Sequence, residues 1–300
     1  MKIRTRIWLI TAACLLLLGL ILFFVTMSTL DWDFSKLSTT EFETNNYELT
    51  GDFNSIAIET DTADIIFAIT DNGRAKVVCY EPANVKHTVS VENDVLRVNV
   101  IDERKWYEFI GITVYTPKIT IYLSKNQYAD LTIREDTGDV KIPDTFQFAN
   151  MDIRTSTGDV KNYASALDKM KMKTNTGDIH IEGVTADALD LCVSTGCVNL
   201  RNVTCKNLTS TGDTGDIKLE NVIVEGMLSI ERDTGDVRFV GCDAVEIDVE
   251  TDTGDVSGSL LTDKVFIVES DTGRVDVPKT TTGGRCEIST DTGDISITIS

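Results

Sequence analysis

The sequence predicts an all-β fold: a β-solenoid of about nine rungs of 19–20 residues with an N-terminal β cap, preceded by one transmembrane helix. Two observations support this prediction. A long uncharged apolar segment lies near the N-terminus, and from residue 131 onward the tripeptide Thr-Gly-Asp, or a close variant, recurs every 19 or 20 residues. The recurring glycines, which we interpret as structural turns, are Gly138, Gly158, Gly177, Gly196, Gly215, Gly235, Gly254, Gly273 and Gly293.

The residues around each glycine repeat as well. Those seven and five before it and two after it are apolar in every copy, with Ser210 as the one exception. Apolar side chains at alternate positions indicate strands, so each copy is interpreted as strand, turn, strand and second turn. The second turn is marked at Gly183, Asn202, Asn221 or Gly241. A two-strand unit cannot bury its own apolar face, whereas copies stacked ~4.8 Å apart can.

The N-terminal apolar segment, Ile7 to Val25, has the length of a membrane span, since 19 residues of helix cover ~28 Å. Lys2, Arg4 and Arg6 precede it, which predicts a cytoplasmic N-terminus and an extracytoplasmic remainder at the cell membrane. The alternatives are a cleavable signal peptide and a lipoprotein signal after which Cys14 would begin the mature chain. The long apolar segment favours an uncleaved signal anchor.

The chain is divided by these patterns into five segments. The predicted segments are a cytoplasmic stub at 1–6, the transmembrane signal anchor at 7–30, a linker at 31–50, an N-terminal β cap with irregular rungs at 51–130 and the Thr-Gly-Asp repeat solenoid at 131–300. Within the cap, Ile56 and Ile58 before Asp61-Thr62-Ala63-Asp64 resemble a degenerate copy of the repeat. A hairpin is expected to turn at Asn93-Asp94.

Composition narrows the classes of function. The formal net charge of −20 argues against a nucleic-acid partner, because phosphate binding needs a basic surface. Seven cysteines match no familiar metal-ligand spacing, and buried free thiols are expected. The two histidines, His87 and His180, have no serine or cysteine that the sequence places beside them. We therefore expect no catalytic residues, no cofactor and no enzymatic activity.

The aspartates that follow the glycines form a row that could attract a cation such as Ca²⁺. These residues are Asp139, Asp159, Asp178, Asp216, Asp236, Asp255 and Asp294. The favoured interpretation is that each carboxylate accepts a backbone N–H in its own turn, so no metal is assigned. Cys197 and Arg274 interrupt the row, and Arg274 is expected to lie between Asp255 and Asp294. Asp-Thr-Gly is also the tripeptide of aspartic proteases, but a solenoid places its copies in a line rather than around one cleft.

Several repeat phrases resemble those of the bacterial putative-adhesin β-strand-repeat family, the domain of unknown function 4097. They are Thr157-Gly158-Asp159-Val160, the segment 253–261 and the segment 272–278. The resemblance covers about 50–300, including Trp106-Tyr107. It implies a bacterial envelope protein with one N-terminal transmembrane helix, and it extends to LiaG-like proteins of envelope-stress operons. No catalytic residues are carried over by it.

The sequence thus predicts a non-catalytic surface or interaction module of the bacterial cell envelope. Its expected partners are the lipid bilayer, through residues 7–30, and an envelope protein or a glycan. An accessory or sensory ectodomain of an envelope-stress system is the alternative, although the stub at 1–6 is too short to signal alone. A polysaccharide-acting enzyme is the third hypothesis, which the acidic surface disfavours.

Overall fold

The computed structural model describes residues 3–33, 40–70, 73–102, 104 and 115–300. It begins with one helix, α1 (Ile3–Thr29), which is followed by a β-solenoid. The segment Trp106-Tyr107, which contributes to the predicted resemblance, lies outside the described residues. The predicted all-β solenoid with a preceding apolar helix is confirmed, with about eight complete turns.

Helix α1 is long and apolar enough to cross a membrane. The most apolar 18-residue window within residues 4–29 has a mean hydropathy of 2.8, and none of this window is buried inside the protein. The helix ends at Thr29, and the ring of Trp32 just beyond it packs back against Phe23 and Phe24. An anchor and a signal sequence share this length and composition, so α1 is one or the other.

The described residues after the helix form 22 strands. The strands before the repeats are β1 (Phe42–Glu48), β2 (Ser55–Thr62), β3 (Asp64–Ile69), β4 (Lys76–Pro82), β5 (Val85–Glu92), β6 (Val95–Asp102) and β7 (Lys118–Leu123). The repeat strands are β8 (Gln127–Thr137), β9 (Val140–Ile142), β10 (Gln147–Thr157), β11 (Val160–Asn162), β12 (Ser165–Thr176), β13 (Ile179–Glu182), β14 (Thr185–Thr195), β15 (Val198–Thr214), β16 (Ile217–Thr234), β17 (Val237–Thr253), β18 (Val256–Leu260), β19 (Lys264–Thr272), β20 (Val275–Asp276), β21 (Gly284–Thr292) and β22 (Ile295–Ile299).

Successive rungs pair in parallel and in register. Met151 of β10 lies opposite Met170 of β12, and two residues later Ile153 lies opposite Met172. At the corner, the N–H of Gly158 donates to the carbonyl of Thr176 over 2.8 Å. The apolar columns predicted from the repeat therefore line one continuous core, because equivalent positions of neighbouring rungs face the same side.

The solenoid begins earlier than residue 131. Ile56 and Ile58 of β2 lie opposite Leu131 and Ile133 of β8, so the degenerate copy at residues 61–64 forms the first corner of the stack. Strands β6 and β7 continue the sheet beyond this rung, through parallel pairing with β2 and β3. The predicted hairpin is confirmed between β5 and β6, whose turn residues have left-handed φ angles of 50° and 65°.

The last two rungs stack in the reverse of their sequence order, which corrects the simple expectation. Strand β21 pairs with β17, where Ile247 lies opposite Cys286, and on its other side with β19, where Phe266 lies opposite Cys286. The Gly293 rung therefore lies between the Gly254 and Gly273 rungs. Both late rungs carry the same apolar period, so the sequence holds no signal that orders them. The Gly273 rung becomes the end of the stack, where Val275 is 45% exposed.

One buried arginine explains the single polar residue in the apolar columns. The side chain of Arg232 is almost completely buried and donates to the carbonyl of Val193 and to Oγ of Ser210, both at 3.2 Å. A Cβ atom at Gly212 would lie 1.7 Å from Nη1 of Arg232. Ser210 thus supplies an acceptor and Gly212 the space, because a buried guanidinium needs both.

The two corners of a rung need glycine for different reasons. At Gly177 the φ angle is 137°, and a Cβ atom would lie 2.2 Å from the carbonyl oxygen of Gly158 in the neighbouring rung. At Gly183 the φ angle is 70°, but no described atom lies within 4 Å of the Cβ position. Asn202 and Asn221 occupy the equivalent corner with φ angles of 52° and 53°. The first corner is therefore sterically closed, whereas the second needs only a left-handed residue.

We expect Gly177→Ala to lower the free energy of unfolding by about 2 kcal/mol or more, since the new methyl group must push two rungs apart. The matched change Gly183→Asn should alter it by less than about 0.5 kcal/mol, because asparagine already serves at this corner. Urea unfolding of the full chain in detergent micelles measures both. A Gly177→Ala protein as stable as wild type would contradict this steric account of the corner.

Candidate functional site

The predicted aspartate row forms a ladder between rungs. Oδ1 of Asp139 accepts the backbone N–H of Asp159 over 2.9 Å, and Oδ1 of Asp159 accepts that of Asp178 over 2.9 Å. Oδ1 of Asp178 in turn accepts the N–H of Cys197 over 2.8 Å. The same bond joins Asp216 to Asp236, Asp236 to Asp255 and Asp255 to Asp294. Each carboxylate therefore serves the next rung rather than its own turn, which corrects the expected partner. The attraction of cations to this row stays a prediction.

The position of Arg274 is a second correction. This residue does not separate Asp255 from Asp294, because the Gly293 rung stacks directly on the Gly254 rung. Arg274 lies beyond Asp294, where its N–H donates to Oδ1 over 2.8 Å and its guanidinium to Oδ2 over 3.0 Å. These hydrogen bonds lower the pKa of the Asp294 carboxyl. The end of the aspartate row is thus closed by a cation.

Buried threonine hydroxyls form hydrogen bonds with the carbonyl groups of corner glycines in neighbouring rungs. The hydroxyl of Thr174 donates to the carbonyl of Gly158 over 3.2 Å, and that of Thr290 to the carbonyl of Gly254 over 3.2 Å. Both residues are the first member of a Thr-x-Thr pair, and both are buried. The first threonines of these two pairs therefore satisfy corner carbonyls, whereas the second members, Thr176 and Thr292, are exposed.

A cluster of basic side chains lies on the outward face of β8, β10 and β12, the strands that precede three successive glycine corners. The sequence analysis did not predict this cluster. Strand β12 turns Lys169, Lys171 and Lys173 outward, while the methionines between them are buried. Arg134 and Arg154 occupy the position of Lys173 in the two preceding rungs. We call these five residues the basic face. The alternation Lys-Met-Lys-Met-Lys could have revealed the lysines, but only the stacking register adds the arginines.

The basic face is partly neutralised by two aspartates. Asp152 accepts from Arg134 over 2.6 Å and from Arg154 over 3.2 Å. Asp190 pairs with Lys171 over 2.8 Å. Among the described residues, Lys173 forms no ion pair. Its ammonium is therefore available to an external anion.

Two open clefts run along the basic face, with volumes of about 430 and 570 Å³. Arg154 lines both of them. Beside the first cleft, one column holds Asp136, Ser156 and Asn175 in three successive rungs. The last two of these rungs therefore have a neutral side chain where the first has a carboxylate. Carboxylates lie among these donors, since Glu59, Asp61 and Asp136 also line the first cleft and Asp130 and Asp152 line the second. A row of cationic and neutral donors with acceptors beside it suits a polyhydroxylated ligand that carries anionic groups.

Glu135 lies buried at the base of the first cleft, where its backbone pairs with that of Thr60. Burial raises the pKa of its carboxyl to about 8, and the nearby carboxylates of Asp64, Asp139 and Asp136 add to the rise. Within the described part of the chain, neither carboxyl oxygen has a hydrogen-bond partner. Glu135 is therefore mainly protonated at neutral pH, because an unpaired buried charge is costly.

The stability of the wild-type fold should fall between pH 4.5 and about 8, because over that window the folded Glu135 holds a proton that the unfolded chain releases. Glu135→Gln removes this dependence and should raise the free energy of unfolding at pH 7 by about 3 kcal/mol. Urea unfolding across this pH window measures the slope. Glu59→Gln, an exposed carboxylate beside the same cleft, is the control and should keep the wild-type slope. Identical slopes in Glu135→Gln and wild type would refute this assignment.

Asp178→Ala should lower the free energy of unfolding by about 1–2 kcal/mol, because the N–H of Cys197 loses its acceptor. Asp178→Asn should cost less, since the amide oxygen can still accept. Asp168→Ala removes an exposed aspartate outside the ladder and is the control. Thermal unfolding compares the three variants. Equal stability of Asp178→Ala and Asp168→Ala would show that the ladder contributes nothing.

Solved structures share this architecture at low sequence identity. A "putative adhesin" from Parabacteroides distasonis ATCC 8503 aligns over 87% of this chain and 98% of its own, with a TM-score of 0.52 and 11% identity. A "putative adhesin" from Bacteroides fragilis NCTC 9343 aligns over 87% and 99%, with a TM-score of 0.50 and 15% identity. A "putative lipid binding protein" from Parabacteroides distasonis ATCC 8503 aligns over 87% and 98%, with a TM-score of 0.51 and 15% identity. At these identities the likeness shows the fold alone.

No curated protein matches the chain. The Toastrack DUF4097 family model matches residues 53–298, which includes the first rung and every glycine corner. The predicted family resemblance is therefore confirmed, while the narrower likeness to LiaG-like proteins stays a prediction. The matched region covers most of the chain, and this protein belongs to the Toastrack DUF4097 family.

Proposed function

We propose that this protein is a surface interaction module of the bacterial cell envelope, held at the membrane by α1. The basic face of its solenoid binds an anionic glycan or a polyol-phosphate polymer. The observation that carries the proposal is the basic face itself. It gathers five cationic side chains from three adjacent rungs on a strongly acidic chain. The Toastrack family and the adhesin-named structural neighbours support the interaction role.

The spacing of the cations favours a polymer over a compact ligand. Arg134, Arg154 and Lys173 occupy one column, with ~4.8 Å between successive rungs. A rigid row of charges matches a polymer with regularly repeated anionic groups. Each further contact adds binding free energy, because the protein does not have to become more ordered to make it. The two clefts beside this column are open, so a long chain can lie along them.

The orientation at the membrane follows from charge. Arg4 and Arg6 begin α1, and basic residues before an apolar span favour retention of that end in the cytoplasm. The solenoid is then extracytoplasmic, with its acidic surface repelled by anionic lipid headgroups. This topology would leave the basic face free to meet a polymer of the envelope.

A non-catalytic role is supported by the lining of the clefts. Among the described residues that line the two clefts of the basic face, none is a histidine or a cysteine. The ionisable side chains described there are carboxylates, arginines and lysines, so a nucleophile–base pair built on histidine or cysteine is absent from this lining. The sensory role in an envelope-stress system stays a prediction.

Binding to a polyuronate and to a polyol phosphate, with neutral dextran as reference, tests the proposal on the full chain in detergent micelles. We expect Arg154→Glu/Lys173→Glu to weaken binding of the anionic polymers at least tenfold, which corresponds to about 1.4 kcal/mol. Added salt should weaken wild-type binding too.

The matched control is Lys218→Glu/Arg238→Glu, which makes the same charge change on the parts of β16 and β17 that follow the glycine corners. It should bind like wild type. If both double variants lose the same affinity for the anionic polymers, the loss reflects net charge alone and the basic face is not the binding site. Failure of wild type to bind either polymer above the dextran level would defeat the proposed function.

A further inference from the structure

A second cluster of reactive side chains lies in the cap, on the opposite side of the first rung from the repeats. Cys79 and Glu81 are alternate residues of β4 and face the same side, and β5 adds His87. The first two are 0% exposed and His87 is 3% exposed. Sequence reasoning placed no partner beside His87, because a Cys-x-Glu-x5-His spacing is not a familiar metal motif.

The three side chains converge on one point. Nδ1 of His87 lies 2.5 Å from Oε2 of Glu81, and the potential ligand atoms of all three residues lie within 4.8 Å of one another. The thiol of Cys79 has no hydrogen bond to any described residue. A sulfur, a nitrogen and an oxygen atom that can bind a metal thus lie close together in a buried part of the cap.

We infer that Cys79, Glu81 and His87 form a zinc-binding site. A thiolate, an imidazole and a carboxylate are the three ligand types that Zn²⁺ takes in proteins, and their ligand atoms here lie within 4.8 Å of one another. Nδ1 of His87 and Oε2 of Glu81, now 2.5 Å apart, would have to separate to admit the ion between them. The thiolate disfavours Ca²⁺ and Mg²⁺, which prefer oxygen ligands alone. The fourth position is left to water or to a neighbouring side-chain oxygen.

The groups that would orient the ligands are already in place. Nε2 of His87 lies 2.8 Å from Oγ1 of Thr60, so this nitrogen can keep its proton while Nδ1 binds the metal. The amide of Asn45 donates to Oε1 of Glu81 over 2.8 Å, and the backbone N–H of His87 donates to Oε2 over 2.9 Å. These hydrogen bonds fix the carboxylate independently of the metal.

Charge balance also suits a buried zinc ion. Zn²⁺ with one thiolate, one carboxylate and one neutral imidazole is a neutral unit, which can be buried at low cost. Binding forms the zinc–sulfur bond as the thiol proton of Cys79 leaves to solvent, and the proton shared by Nδ1 of His87 and Oε2 of Glu81 is displaced to Nε2 or to solvent. No redox partner is needed. The site would tie β4 to β5, which share few contacts with each other.

The same residues resemble a hydroxyl–imidazole–carboxylate triad, and burial separates the two interpretations. Thr60 would be the nucleophile and Glu81 the orienting carboxylate. Thr60 is only 3% exposed, and its hydroxyl lies against the imidazole of His87 in the packed cap. A substrate cannot reach this hydroxyl without opening the cap. A structural zinc ion needs no such access.

Cobalt substitution tests the site on the reduced full chain in detergent micelles. We expect Co²⁺ to produce a thiolate-to-cobalt charge-transfer band and tetrahedral visible bands at one equivalent, and Zn²⁺ to displace them. Cys79→Ser should abolish the charge-transfer band. His87→Gln should weaken Co²⁺ affinity at least tenfold. Zn²⁺ should also raise the unfolding temperature of wild type, a measurement that needs no variant.

Cys205→Ser is the matched control, since it removes a different buried thiol in the solenoid and should keep the band. Circular dichroism confirms that each variant is folded. A wild-type protein that shows neither a cobalt band nor a thermal shift with Zn²⁺ overturns the inference and leaves a purely structural His87–Glu81 pair. A band that survives Cys79→Ser but disappears in Cys192→Ser or Cys197→Ser places the metal elsewhere and overturns it too.

Discussion

The close approach of backbones at the glycine corners is the constraint on which the solenoid depends. The carbonyl oxygen of one corner glycine occupies the space that a Cβ atom of the next would need. Any side chain there would separate the rungs and lengthen the hydrogen bonds that join them. Because the corners meet in register, the aliphatic side chains at fixed offsets also meet, and a single core follows. Ala63 is tolerated because it forms the first corner of the described stack.

Polar groups at the corners are satisfied between rungs rather than within them. The aspartate ladder and the inward threonine hydroxyls bond to groups of neighbouring rungs, while Arg232 bonds to Ser210 in the adjacent rung and to Val193 two rungs away. Stability therefore depends on contacts between nearby rungs, and residues that depart from the repeat do so together. Ser210 and Gly212 illustrate this coupling, because each departs from its column to accommodate Arg232 two rungs from the carbonyl it reaches.

The features proposed to carry function lie where the repeat varies. The corner residues are nearly invariant, whereas the outward columns are free to carry different charges. Three adjacent rungs use that freedom to form the basic face. The proposed zinc site lies in the cap, where the chain leaves the period and can bring β4 and β5 over the first rung. The regular stack thus supplies rigidity, and its variable surface and its end supply chemistry.

The sequence by itself determined the strands, both corners, the buried columns and the apolar helix, since these depend on local period and residue size. Only the tertiary structure decided the order of the last two rungs, because the Gly273 and Gly293 copies have equivalent patterns. Pairing between rungs also placed the carboxylate of Asp178 on the N–H of Cys197 instead of its own turn. Arg154 meets Lys173, and His87 meets Cys79, through contacts across strands. No one-dimensional spacing encodes such contacts, because the side chains become neighbours only when the chain stacks.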